Sequence, residues 1–117
     1  MMSRAGIARG DVWMIDLSEP PRGREQAGNR PALVVSVNEF NRGPADLVVV
    51  LPITTVHKGI PFHVRLDPPS GGVVKSSFIK CEDIRSISRD RLRRYLGTVG
   101  AQSLDDVGDR LRILLDL

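Results

Sequence analysis

Cysteine is almost absent from this chain, in which Cys81 is the single cysteine among 117 residues. One thiol cannot form an internal disulfide, and it is too few for a zinc site built on thiolates. The sequence also has no His-Glu-x-x-His motif and no cluster of spaced carboxylates that would mark a metal site. We therefore expect no cofactor.

Long apolar runs are missing as well, and no segment approaches the roughly 20 residues that a membrane-spanning helix needs. Residues 1–9 include basic side chains but lack the apolar stretch and cleavage site of a signal peptide. With 41% hydrophobic and 26% charged residues, the composition is typical of a soluble globular protein. We expect a single cytoplasmic domain over residues 1–117, without a membrane partner.

Aromatic residues are few: Trp13, Phe40, Phe62, Phe78 and Tyr95. This scarcity argues against an RNA-recognition surface on which several bases stack. We expect Trp13 and Phe62 to belong to the core.

The net charge of +3 is unevenly distributed along the chain. Five arginines, but only one acidic residue, lie between positions 85 and 94: Arg85, Arg89, Arg91, Arg93 and Arg94. This cluster predicts a basic side that attracts polyanions, although a solvated helix face would give the same pattern.

The hydrophobic pattern predicts a mainly β protein. Residues 11–17 alternate as a strand does, and the valine- and leucine-rich runs 32–37 and 47–51 are typical of strands buried on both faces. Polar segments 18–31, 38–46 and 53–61 predict loops. Shorter strands are expected at 62–66, 73–74, 78–81, 85–87 and 95–99.

Two helices are predicted to accompany these strands. Ser88 could cap a short helix running to Arg94, and Ser103 with Asp106 resembles a capping box that starts a C-terminal helix. Strands at close spacing with a terminal helix predict an α+β, mainly β fold, a small and partly closed antiparallel barrel.

Arg30 and Thr54 are the strongest candidates for chemistry. If the two central strands pair side by side, the end of the first long loop lies near the start of the third. Pro31 restrains Arg30 to an extended conformation. A guanidinium fork suits a phosphate, and a threonine hydroxyl adds a neutral donor.

The segment around Arg30 resembles the signature of the MazF/PemK (Kid) toxins. Gly23, Glu25, Gln26, Gly28, Arg30 and Pro31 follow the family pattern Gly-x-Glu-Gln-x-Gly-x-Arg-Pro. Two further blocks also match, one at residues 9–13 and one at residues 52–62. The chain is thus identified as a member of this family over nearly its whole length.

The resemblance implies an SH3-like barrel of the CcdB/PemK type, a homodimer, and sequence-specific cleavage of single-stranded mRNA by a toxin that inhibits translation and growth. It implies catalytic positions at Arg30 and Thr54. A MazE-like antitoxin with an acidic, disordered tail is the expected partner. Six residues are predicted to bind RNA: Arg24, Gln26, Asn29, Thr55, Lys58 and Arg85. Where many relatives carry an acidic residue and then glutamine, this chain has Glu82-Asp83.

Metal-free RNA cleavage can use the 2′-hydroxyl as nucleophile, leaving a cyclic phosphate and a 5′-hydroxyl, and Arg30 and Thr54 would stabilise the phosphoryl charge. Because arginine has a pKa above about 12, we assign Arg30 an electrostatic role first and proton donation second. Glu25 is the candidate base, or else a loop carboxylate that pairs with nearby arginines. His57 and His63 leave a paired-imidazole ribonuclease open, although a surface or satisfied histidine is the usual outcome.

Two other functions stay open on this fold. CcdB toxins poison gyrase through a C-terminal Trp-Gly-Ile, whereas this sequence ends Ile113-Leu114-Leu115-Asp116-Leu117, which favours the nuclease. A non-catalytic binding module of the same fold is the other alternative, and the presence of Arg30 and Thr54 speaks against it.

Overall fold

The described part of the chain, residues 6–17 and 28–117 of a computed structural model, contains seven strands and two α-helices. The strands are β1 (Asp11–Leu17), β2 (Gly28–Val34), β3 (Leu47–Thr54), β4 (His63–Leu66), β5 (Ser77–Lys80), β6 (Arg85–Ser88) and β7 (Leu92–Thr98). Helix α1 is a single turn, Asn38–Asn41, and helix α2 comprises Ala101–Leu115.

All strand pairs are antiparallel, in the order β4-β5-β3-β2-β1-β7, with β6 also paired to β3. Strand β3 is the centre of the sheet because it changes partner along its length. Its first half pairs with β6 and its last two residues pair with β5. The path ends at β4 and β7, which do not pair with each other. The predicted mainly β, antiparallel fold with a C-terminal helix is confirmed.

Hydrophobic residues cover both faces of the central strands. Val12, Leu33 and Leu51 pack with Val107 of α2 in one cluster. Trp13 and its neighbours on the opposite face of β1 form a second cluster with alternate residues of β2 and β3. Burying a side chain of this size contributes about 1.5–3 kcal/mol. The valine- and leucine-rich runs are therefore buried on both faces, as predicted.

The central strands are longer than the hydrophobic pattern predicts. Strand β2 begins at Gly28, within the predicted loop, because β1 pairs with it as far as Gly28. Strand β3 continues through Pro52 to Thr54, because β5 takes over the pairing at Ile53. Strand contacts distant in sequence thus extend both strands toward the residues of interest.

Three local predictions are wrong. The helix expected from Ser88 to Arg94 is one 3-10 turn, Arg89–Arg91, because the chain then pairs with β1 as strand β7. Its predicted cap is correct, since Ser88 Oγ accepts from the Asp90 amide at 3.3 Å. Residues 73–74 form no strand. Helix α2 begins after Gly100 without a side-chain cap, and Asp106 accepts from Gln102 instead of forming a capping box.

Candidate active site

A cleft of about 470 Å³ lies where β2 and β3 leave the core. Its walls come from Arg30 and Pro31 of β2, from residues 53–56 at the end of β3, and from the segment that leads into β4. Side chains of β5 and the turn after it complete the lining. The cleft therefore collects residues from segments far apart in the sequence.

Arg30 and Thr54 both line this cleft. The pairing of β2 with β3 matches Ala32 with Pro52, Leu33 with Leu51 and Val34 with Val50. Two residues further along the same antiparallel register, Arg30 falls opposite Thr54. The structure thus brings together the two residues that the sequence singled out, for the reason the sequence suggested.

The Arg30 side chain is available to a ligand. The residue is exposed, and its guanidinium has no hydrogen-bond or ion-pair partner among residues 6–17 and 28–117. Pro31 follows it in the strand, opposite Met14 of β1, so the backbone on both sides of Arg30 is extended. A guanidinium held in this way offers its planar set of donors to an anion.

Thr54 is held by a local turn. Its hydroxyl oxygen accepts a hydrogen bond from the Val56 amide at 3.1 Å. The hydroxyl proton remains available, because a threonine hydroxyl can accept and donate at the same time. Thr54 can therefore donate a neutral hydrogen bond into the cleft where Arg30 supplies positive charge.

The remaining predicted site residues lie in different places. Thr55 and Lys58 line the cleft. Asn29 is exposed on β2, opposite Asp16, and is not among the lining residues. Arg85 lies on β6, where its Nη2 donates to both carboxylate oxygens of Asp83 at 2.8 and 3.0 Å. Arg24, Glu25 and Gln26 lie outside the described residues.

The arginine-rich segment 85–94 is largely engaged within the protein. Four of its guanidinium groups reach acceptors: Arg85 at Asp83, Arg89 at Asn41 and Asp46, and both Arg91 and Arg93 at Asp16. Arg89 is buried. Most of the arginines behind the predicted basic side are therefore ion-paired or hydrogen-bonded within the protein, where they tie β6, β7 and the connecting turns to the rest of the fold.

A histidine–carboxylate pair in the cleft was not anticipated. The His63 side chain is buried and hydrogen-bonded, which agrees with the expectation of a surface or satisfied histidine: it is only 3% exposed and contacts Glu82. Its Nε2 lies 2.8 Å from Glu82 Oε2, while Nδ1 is buried without a hydrogen-bond partner in the described structure.

Lys80 is a second residue that sequence reasoning missed. It lies opposite His63 in the β4–β5 ladder and lines the cleft. Its ammonium group is 3.6 Å from Asp83. Asp83 is thus paired with Lys80 and Arg85. Alternation within β5 could have placed Lys80 on one face, but the partner strand was not known from the sequence.

The two histidines have separate partners. His63 contacts Glu82, whereas the ring of His57 stacks on Phe78 with centroids 4.9 Å apart. This arrangement gives no support to a paired-imidazole mechanism. Cys81 is buried in the core, and burial, followed by the nearby Glu82 charge, raises the pKa of its thiol to about 11.

Metal-binding clusters and membrane-spanning helices are both absent from the described residues. No group of three or more His, Cys, Asp or Glu side chains in this part of the chain is arranged to hold a metal ion. Within the same residues, no helix has the length and apolar character needed to cross a membrane.

Comparisons with known proteins agree with this architecture. A family model described as PemK-like, MazF-like toxin of type II toxin-antitoxin system matches residues 8–115. The endoribonuclease MazF9 of Mycobacterium tuberculosis is 37% identical over 116 residues, which covers 95% of this chain and 98% of the relative.

Solved structures give the same result. MazF from Deinococcus radiodurans superposes with a TM-score of 0.81 at 32% identity, covering 95% of this chain and 97% of the other. A mycobacterial endoribonuclease in complex with its cognate antitoxin superposes at 0.74 with 28% identity, covering 95% and 94%. These findings confirm the predicted class, a toxin endoribonuclease. The chain belongs to the PemK-like, MazF-like toxins of type II toxin-antitoxin systems.

Proposed function

We propose that this toxin cleaves single-stranded RNA in the cleft, with Arg30 and Thr54 as its catalytic residues. The observation that carries the proposal is their convergence: an exposed guanidinium and a hydroxyl lie on adjacent strands and line one cavity. Both groups donate hydrogen bonds, and neither carries negative charge that would repel a phosphate. Lys58 and Lys80 add cationic groups to the same cleft.

The reaction that fits these groups is an internal transesterification. The 2′-oxygen forms a bond to phosphorus while the bond from phosphorus to the 5′-oxygen breaks. The 2′-hydroxyl loses its proton to a base, and the departing 5′-oxygen gains one. The products are a 2′,3′-cyclic phosphate and a 5′-hydroxyl. Because the nucleophile belongs to the substrate, this route needs no metal-bound hydroxide, and we propose that it is metal-independent.

Arg30 and Thr54 act on the charge that develops during this step. Negative charge grows on the non-bridging oxygens as the phosphorus becomes five-coordinate, and donors positioned there stabilise the transition state more than the substrate. Arg30 supplies charge and a fork of donors, and Thr54 supplies one neutral donor. Glu25 remains the candidate base for the 2′-proton, outside the described residues.

The RNA path is proposed to extend beyond this cleft. A second, smaller cavity of about 210 Å³ shares Pro31, Thr55 and Ser77 with the first. Arg94 and Lys75 lie on its lining. Two adjoining cavities with cationic residues suit a strand that passes over the cleavage site. Asn29 and Arg85, which line neither cavity, are assigned peripheral RNA contacts at most.

Incubating the purified protein in EDTA with a long unstructured RNA tests this function. We expect fragments that end in cyclic phosphate and 5′-hydroxyl groups, and we expect Arg30→Ala to abolish them. Arg30→Lys, which keeps the charge but loses the fork, should retain a small part of the activity. The proposal fails if wild-type protein yields no such fragments, or if Arg30→Ala cleaves as the wild type does.

Regulation by an antitoxin is the second part of the proposal. Because a relative has been solved with its cognate antitoxin, we propose that a MazE-like antitoxin places an acidic, disordered segment on the cationic cleft. We also propose that the toxin is a homodimer acting in the cytoplasm, where its mRNA substrates are. An acidic peptide from the antitoxin should inhibit cleavage, and light scattering should give twice the 12.9 kDa chain mass. A monomeric mass, or cleavage unaffected by saturating peptide, would refute these points.

A further inference from the structure

Two stacked rings lie beside the candidate active site. The imidazole of His57 and the ring of Phe78 have centroids 4.9 Å apart and planes inclined by 17°. His57 is exposed and Phe78 is partly buried. The imidazole therefore covers one face of the phenyl ring and turns its own opposite face outward.

The position of this pair relative to Thr54 is set by the sheet. Phe78 is directly opposite Thr54 in the β3–β5 ladder. Residues in such positions project from the same face, with Cβ atoms about 5 Å apart. His57 follows Thr54 by three residues, and the hydrogen bond from the Val56 amide to Thr54 holds the intervening turn. The two rings thus have a defined place on one side of the Thr54 hydroxyl.

Three cationic side chains flank the two rings, two of them within ion pairs. On the other side of Phe78, its partner in the β4–β5 ladder is Arg65, whose side chain is 64% exposed and whose Nε donates to Asp67 at 2.9 Å. Lys80 is two residues from Phe78 on the same face of β5, and Lys58 follows His57 in the chain. An exposed ring beside cationic groups is the combination by which proteins bind single-stranded nucleic acids, with phosphates on the charges and a base on the ring.

The outer face of the His57 imidazole suits one of the toxin's two proposed anionic partners, RNA and an acidic antitoxin peptide, better than the other. A nucleobase has a π-face that can stack on it. The carboxylates of an acidic peptide have none, and the electron-rich face of an aromatic ring does not attract an anion. An RNA base is thus the better occupant.

We propose that the His57–Phe78 pair is a nucleobase-binding site, in which the base of a nucleotide next to the scissile phosphate stacks on the outer face of His57. This inference rests on the proposed ribonuclease function. It is compatible with the scarcity of aromatic residues, because it requires a platform for one base and not for several.

The test uses an RNA that binds but cannot react. The cleavage site is first mapped on a long unstructured RNA. A short fluorescent RNA spanning that site is then made with 2′-deoxyribose at the attacked position, together with a series in which each nucleotide in turn is abasic. Dissociation constants are measured by fluorescence anisotropy for the wild type, His57→Ala, His57→Tyr and Phe78→Leu.

A stacked base contributes about five- to 150-fold in affinity. We expect His57→Ala to weaken binding of the intact RNA about tenfold, Phe78→Leu to weaken it less, and His57→Tyr, which keeps a ring, to bind as the wild type does. For the wild type, one abasic position should lower RNA affinity about tenfold. That same position should lower the affinity of His57→Ala no further, because the stacking partner of the missing base is already lost.

Tyr95→Leu is the matched control, because it removes an exposed ring from β7, which pairs with β1 at the other end of the strand order from β5. It should leave RNA affinity unchanged. His57→Ala changes an exposed loop residue, so loss of the fold cannot account for its effect, and a thermal melt verifies this. For Phe78→Leu, the melt identifies any loss of affinity that comes from unfolding.

Three results would overturn the assignment. His57→Ala could bind every RNA with the affinity of the wild type. Alternatively, its loss of affinity relative to the wild type could be the same for every RNA of the abasic series, as a purely electrostatic role requires. His57→Ala could also weaken binding of the antitoxin-derived acidic peptide alone, which would make the His57–Phe78 pair a peptide contact. In each case wild-type cleavage and its loss in Arg30→Ala would still support the proposed function. If the wild type cleaves no RNA, the function itself fails.

Discussion

Removing the Thr54 hydroxyl while keeping its shape tests the proposed chemistry most directly. Thr54→Val is close to isosteric, and it deletes the donor that would face the phosphate. It also deletes the acceptor of the 3.1 Å hydrogen bond from the Val56 amide. Two losses of different size therefore follow from one substitution, and they are measured separately.

The structural loss should be small. Thr54 is only partly buried and Val56 is exposed, so water can replace the lost partner of the amide. A hydrogen bond of this kind contributes about 0.5–1.5 kcal/mol to stability. The catalytic loss should be larger, since removing one donor from a developing oxyanion costs about 10²–10³-fold in rate.

Single-turnover cleavage of a fluorophore–quencher RNA, with a parallel thermal melt, separates the two effects. Thr54→Val should react about 10²–10³-fold more slowly while melting only a few degrees lower. Thr54→Ser keeps the hydroxyl and should stay within about tenfold of the wild type. If Thr54→Val, still folded, cleaves within threefold of the wild type, Thr54 is not a transition-state donor and its assignment is wrong.

Three further predictions concern the fold and its ionisable groups. Gly72 has φ +74°, and a Cβ there would lie 2.0 Å from the backbone oxygen of Leu96. Gly72→Ala should therefore lower the free energy of unfolding, measured in urea, by at least about 3 kcal/mol. An unchanged urea midpoint would contradict this. Because the pKa of Cys81 is raised to about 11, its thiolate fraction near pH 8 is about 100-fold below that of an unshifted thiol, so iodoacetamide should modify it correspondingly slowly until urea unfolds the chain. The hydrogen bond from Arg65 holds the pKa of Asp67 below its ordinary 3.8, so this carboxylate adds stability above that pH, and the contribution is lost as pH falls through the folded-state pKa. In carboxyl-carbon NMR titrations, Arg65→Gln should move the Asp67 pKa upward, and an unmoved midpoint would refute the cause.

Strand β1 and the two hydrophobic runs show how much of the fold local sequence patterns could predict. Alternation alone predicted a strand over residues 11–17, and the structure has β1 at Asp11–Leu17. The runs in β2 and β3 predicted strands buried on both faces, because such runs leave no polar face for solvent. The ends of these strands were wrong, since they depend on pairing with β1 and β5.

Part of the candidate site was also predictable. Arg30 and Thr54 were paired on the assumption that their strands are neighbours, and the β2–β3 register brings them together. His63, Lys80 and Glu82 were not predicted to belong to the cleft, because each depends on which strand lies beside which. The contacts of the arginine-rich segment 85–94 were not predicted for the same reason. Its charge is evident from the sequence, but the hydrogen-bond acceptors that its arginines reach are not.

The sequence by itself determined what is local or carried by a motif: the strand periods, the extended approach to Arg30 before Pro31, and membership of the toxin family. Tertiary structure alone decided which side chains meet. The burial of His63 against Glu82 and the stacking of His57 on Phe78 join residues that are 19 and 21 positions apart. Contacts of this range follow from strand order and register, which no local pattern specifies.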